Sequence, residues 1–122
     1  MLLTNELNLK VCDPAVIESL AVGDVALMKE IMKLFIKQSP DEIKKIKNAI
    51  AFNDVVGIQT VAHKMKSCAS LVGVTKMHNI LQEMEKSAQT DFEVAKMIVL
   101  FKDLSEIHEL AIYELKRLLV HL

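Results

Sequence analysis

Apolar residues recur along this chain at intervals of three and four, the repeat of one face of an α-helix. After Asp24, Met28, Ile31 and Phe35 follow this spacing, and Ile43, Ile46 and Ile50 continue it past Pro40. Ile58, Val61, Met65, Ala69 and Val72 form a second stripe, with Ala62 and Cys68 at its margins. Met77, Ile80, Leu81 and Met84 form a third. The last stripe is the longest: Leu100, Leu104, Ile107, Ala111, Leu115, Leu118 and Leu122. Met32 and Ile36 fall off the main stripe of their segment, where they either meet a neighbouring element or lie exposed.

Sparse punctuation separates these segments. Asp13 and Pro14 suit the cap and first position of a short helix over 13–22, which Gly23 can end. Asp24 can cap the next helix. Ser39-Pro40-Asp41-Glu42 allows two readings: a capping box that opens a new helix, or a proline inside one long helix from about 24 to 52. Asn53-Asp54 offers a cap for a helix over about 55–72, stopped by Gly73, and a further helix spans about 75–88. Thr90-Asp91-Phe92-Glu93 reads as a capping box opening the final helix. Four amphipathic helices with short connections can bury their stripes against one another. The expected fold is therefore all-α, an antiparallel four-helix bundle with a short extra N-terminal helix over one end. Without repeats, linkers or low-complexity tracts, the 122 residues read as a single domain, and mutually satisfied stripes predict a monomer.

Composition narrows the function classes. Hydrophobic residues make up 52% but aromatics only 4%, so the core is aliphatic and rich in methionine. The seven methionines mostly sit on the apolar stripes and read as core. A net charge of -1 gives no reason to expect a nucleic-acid partner. Cys12 and Cys68 match no zinc or redox spacing and read as two reduced thiols of a cytoplasmic protein. The first ten residues lack the pattern of a secretory leader, and no apolar run is long enough for a membrane. The three isolated glycines form no phosphate-binding loop, so neither nucleotide binding nor kinase activity is expected. His78, His108 and His121 lack the Glu-x-x-His and His-x-x-x-His spacings of metal sites, and Ser67 and Ser70 have no acid at a triad-like spacing.

The segment over 55–72 differs from the rest. Two residues along a helix turn by about 200°, so His63 faces away from Met65 and from the core. Its face holds Gln59, Lys66, Ser67 and Ser70. A neutral imidazole is a good nucleophile near physiological pH. Lys66, one turn on, suits an incoming phosphoryl charge; Ser67 supplies space and a hydroxyl; Gln59, one turn back, is placed to add a hydrogen bond. The same spacing also fits a solvated histidine beside an ordinary lysine, and spacing alone does not choose.

The run His63-Lys64-Met65-Lys66-Ser67-Cys68-Ala69-Ser70-Leu71-Val72-Gly73 resembles the signature of histidine phosphotransfer (HPt) domains. Lys66 and Gly73 stand in register with that signature, and so does Ala62 before the histidine. Gly23-Asp24, the interruption near Pro40, and Asn53-Asp54 extend the resemblance over residues 13–120 or thereabouts. Ser67 departs from the usual Gly, and Cys68 from the usual Ser.

The resemblance implies that His63 accepts a phosphoryl group from a receiver-domain aspartate and passes it to another, in a two-component phosphorelay. Lys66 would then stabilise the charge, with Ser67 and Gln59 beside it. It also implies a Gln or Glu on the next helix, bonded to the imidazole. Glu85 stands at the matching distance, one position past Met84, where it fits either that role or a solvated bundle edge. Receiver domains of response regulators or hybrid histidine kinases are the implied partners. The domain itself needs no cofactor, and the metal ion belongs to the partner. The alternative is a docking module that binds and inhibits a receiver or kinase without phosphorylation; a purely structural bundle would leave the polar stripe around His63 unexplained.

Overall fold

The computed structural model of the protein describes residues 7–122; the first six residues, part of the stretch read for a leader, lie outside them. Helix α1 spans Pro14–Leu20, α2 Val25–Ala51, α3 Val55–Leu71, α4 Thr75–Thr90 and α5 Val94–His121. No strand forms among the described residues, and no helix there is long and apolar enough to cross a membrane. Helices α2 to α5 pack in a ring, each against the next and α5 back on α2, while α1 lies on α2 and α3. The short connections at 52–54, 72–74 and 91–93 reverse the chain each time, which gives the antiparallel bundle.

Local chemistry accounts for most boundaries. The Asp13 side chain caps α1 by accepting from Ala15 N–H, with Pro14 at the first position. Asp24 caps α2 through Leu27 N–H, and Asp54 caps α3 through Gly57 N–H. Gly73 follows α3 with φ +71° and is buried under the chain entering α1: Asp13 N–H donates to its carbonyl at 3.2 Å, and its α-carbon faces the Asp13 carbonyl oxygen. Gly23 also has a positive φ, +76°, but opens onto empty space.

Helix α2 runs unbroken through Pro40, so the capping-box reading of Ser39 and Glu42 does not hold. Met32, Phe35, Ser39, Glu42 and Ile46 form one continuous buried face, and a break at Pro40 would throw half of it out of register. Pro40 itself lies on the solvent side, where a lost N–H donor costs least. The Thr90–Glu93 capping box is also corrected. Thr90 is the last residue of α4, its hydroxyl donates to the Lys86 carbonyl at 2.9 Å, and Glu93 caps α5 without a side-chain hydrogen bond. The hydroxyl finds a carbonyl one turn back and extends the preceding helix instead of opening the next.

The core is aliphatic, as composition implies. Met28, Met32, Met65, Met77, Met84 and Met97 are all buried, and each such side chain contributes about 1.5–3 kcal/mol relative to exposure. Met32 therefore joins the core and Ile36 packs against it; neither lies bare. On α3 the fully buried positions are Ile58, Ala62, Met65 and Ala69, with Val61 only half-buried. The inward face is thus rotated toward Ala62, because α3 is flanked by both α2 and α4 and its buried face must serve the two neighbours at once.

Several polar groups enter this core with partners. Glu114 accepts the backbone N–H groups of Lys10, Val11 and Cys12 at 2.8–3.0 Å and fastens the N-terminal segment to α5. Burial and then the Glu114 carboxylate push the Cys12 thiol far above its ordinary range, so it stays protonated; it donates to the Ala111 carbonyl. Ser39 Oγ and His108 Nε2 are 2.7 Å apart between α2 and α5, with Phe35 against the imidazole.

Two outcomes are expected. Gly73→Ala should destabilise the fold by about 2–3 kcal/mol in denaturant titration, and Gly23→Ala by only about 1 kcal/mol, because the first adds a backbone clash to the same left-handed strain. Burial holds the His108 imidazole below its ordinary 6.5. The unfolded chain therefore takes up that proton first as pH falls, so stability drops as pH falls through the ordinary value and levels off once the buried ring is itself protonated. Thermal melts at about pH 7.5 and about pH 5 should show a larger loss for the wild type than for His108→Gln.

Candidate functional site

Helix α3 turns His63 outward, with its side chain 68% exposed. Close packing of α3 on α4 brings Glu85 alongside. Glu85 Oε2 lies 2.7 Å from His63 Nδ1, and Glu85 Oε1 lies 2.7 Å from Lys66 Nζ. One carboxylate thus bridges the imidazole and the ammonium. Glu85 and Lys66 are mostly shielded, at 17% and 20% side-chain exposure, whereas the imidazole stands clear of them. The Lys66 hydrogen bond holds the Glu85 carboxyl below its ordinary range; partial burial opposes this and the His63 bond adds to it.

This electrostatic arrangement fixes the imidazole's tautomer. An ionised carboxylate only accepts, so the shared proton sits on His63 Nδ1. Nε2 keeps its lone pair and has no hydrogen-bond partner among the described residues. Of the two positions open to Glu85 in the sequence, the structure has the one on the imidazole.

The other expected residues divide. Ser67 is exposed beside His63 and makes no side-chain hydrogen bond among the described residues, so it leaves the approach open. Gln59 is half-buried on the preceding turn but does not bond the imidazole; Nδ1 is already taken from α4. No group of three His, Cys, Asp or Glu side chains gathers as a metal site among the described residues.

Two pairs escaped the sequence reading. Lys64, next to His63, reaches the nearly buried Glu42 of α2 at 3.1 Å. Ser70 Oγ lies 2.8 Å from Nδ1 of His78 on α4. The spacing of His78 and Glu85, seven apart and so on one face of α4, was the available signal. From Glu42 a groove of about 80 Å³ runs between α2 and α3, lined by Ile31, Leu34, Phe35, Cys68 and Leu71.

Fold and site together define a helical bundle that presents one imidazole nitrogen to solvent, braced by a carboxylate and an ammonium. The chain belongs to the Hpt domain family, whose model matches residues 30–115. Membership supports a phosphotransfer role in two-component signalling. In structure the chain is similar to the HPT domain of an Hpt sensor hybrid histidine kinase from Shewanella, at 20% identity and TM-score 0.81, over 91% of this chain and 95% of that one. It is also similar to histidine-containing phosphotransfer protein B (HptB) of Pseudomonas aeruginosa PAO1, at 18% identity and TM-score 0.83, over 91% and 96%. Those two similarities show the fold. None of the curated proteins matches the sequence.

The tautomer is directly measurable. Two-dimensional 15N–1H NMR of labelled protein should find His63 protonated at Nδ1 at neutral pH, and Glu85→Ala should return it to the Nε2–H form that free histidine prefers.

Proposed function

We propose that His63 is the phosphoryl acceptor of a two-component phosphorelay, charged by the phospho-aspartate of one receiver domain and discharged to the aspartate of another. The observation that carries this reading is the exposed Nε2 lone pair of His63, with Nδ1–H held by Glu85. In the forward step Nε2 attacks phosphorus in line, an N–P bond forms, and the P–O bond to the aspartate breaks with its electron pair leaving on the carboxylate. The ring becomes cationic, and Glu85 at Nδ1 offsets that charge without taking the proton. The Lys66 ammonium, one turn from His63, is within side-chain reach of the phosphoryl oxygens once it leaves Glu85.

The surface around His63 suits a transient partner. The apolar groove between α2 and α3 is joined to it through the Glu42–Lys64 bridge, and Leu34 and Leu71 at its rim are about half exposed. Helix α2 carries six lysines against three acidic residues, and α3 two lysines with no acid, which complements the acidic pocket where a receiver carries its phospho-aspartate and metal ion. Such an interface is small and weak, as a relay requires. On this reading the chain carries the group, and a histidine kinase is its source.

The test is phosphoryl transfer from receiver domains charged by a kinase with labelled ATP. Wild type should acquire acid-labile, alkali-stable label, and His63→Gln none. Binding of charged receivers without any label would sink the relay reading in favour of a docking module.

A further inference from the structure

The α3–α4 seam carries a second polar cluster about two helical turns beyond His63. His78, in the first turn of α4, is half-buried. Its Nδ1 lies 2.8 Å from Ser70 Oγ and 3.4 Å from the Lys66 carbonyl oxygen. Ser70 Oγ donates to that same carbonyl at 3.2 Å. With the proton on His78 Nδ1, that N–H faces both oxygens while the hydroxyl proton goes to the carbonyl, and all three contacts are satisfied together; a hydroxyl donating to Nδ1 instead would leave both carbonyl contacts unmade.

Lys66 is thus fastened to α4 at both ends. Its ammonium is held by Glu85 at 2.7 Å, and its backbone carbonyl is held by the Ser70–His78 pair. A serine hydroxyl bonded back to the carbonyl one turn earlier competes for that acceptor and tends to bend the helix. Here the bend would fall on the turn that carries Lys66. The His78 N–H reaches across from the neighbouring helix to the same oxygens and restrains it.

We propose that His78 is a positioning residue for phosphoryl transfer. Together with Ser70 it anchors the Lys66 backbone against α4, so that the ammonium moves from Glu85 to the phosphoryl group from a fixed origin. This rests on the reading of His63 as acceptor. The lysine side chain supplies the motion, and the anchor keeps it within reach of Nε2. A displacement of the origin by an ångström misplaces the charge at the transition state. Neither Ser70 nor His78 is among the positions on which the HPt resemblance stands.

The experiment measures phosphoryl uptake from phosphoramidate, a small donor whose P–N bond breaks as His63 is charged and ammonia leaves, and from charged receiver domains over a range of concentrations. His78→Leu should lower the maximal rate about fivefold with both donors and leave the receiver KM unchanged. His78→Asn, whose side-chain amide N–H stands where Nδ1–H was, should restore most of the rate. In a Lys66→Ala background His78→Leu should cost nothing further, because the two residues act as one unit.

Equal losses in both backgrounds, or a rise in KM alone, would overturn the positioning role: the first means that His78 acts independently of Lys66, the second that it is a docking contact. If His78→Leu fails to fold by circular dichroism, Ser70→Ala carries the test, with about a twofold loss expected and an unaltered rate counting against the anchor. No uptake by wild type from either donor overturns the reading of His63 itself. Uptake by wild type with an unaltered His78→Leu rate overturns the anchor alone.

Discussion

Ile58, Ala62, Met65 and Ala69 bury one whole face of α3, and two of the four are alanines. Small side chains at the centre of a helix face let its neighbours approach closely. Helix α4 packs on it from one side and α2 from the other, and both bring buried faces of their own. The site depends on the α4 contact. Only with α3 and α4 side by side can one carboxylate at Glu85 reach both the ring of His63 and the ammonium of Lys66, and only then does His78 meet Ser70. The apolar seam supplies the binding energy, and the polar groups along its outer edge use the spacing it sets.

The buried polar groups have a different effect. Ser39 with His108, Glu42 with the exposed Lys64, and Glu114 with three backbone N–H groups each give a buried polar group its partner. Such pairs add little net stability, but a misaligned bundle would leave them unsatisfied at about 1–3 kcal/mol each. They therefore penalise slippage of one helix along another. Ser39–His108 ties α2 to α5 and Glu42–Lys64 ties α2 to α3, while Glu114 ties the N-terminal segment to α5. With α3 fixed between α2 and α4, the groove beside His63 and the imidazole keep a set relation to each other.

The helices and their order were legible because each carries its own period, and the caps at Asp13, Asp24 and Asp54 are local hydrogen bonds between residues two or three apart. The outward direction of His63 was legible for the same reason: it follows from its offset to Met65 on one helix. Local signals misled where a tertiary contact outweighed them. Ser39 has the spacing of a capping box, yet its hydroxyl is held by His108, 69 residues later. Thr90 looks like a cap, yet it closes the helix before it. Val61 and Ala62 differ by one position, and the neighbours of α3, not its own pattern, decided which of them is central.

By itself the sequence determined an all-helical chain, the surface position of His63, and the company of Lys66 and Ser67 on its face, because those relations lie within one helix whose geometry is constant. Tertiary structure alone decided that Glu85 braces the imidazole instead of facing solvent, that Gln59 does not, and that His78 meets Ser70 across the α3–α4 seam. Each of those outcomes depends on the depth, spacing and register of one helix against another. Side-chain packing across the whole bundle sets those quantities, and no periodicity within a single segment records them.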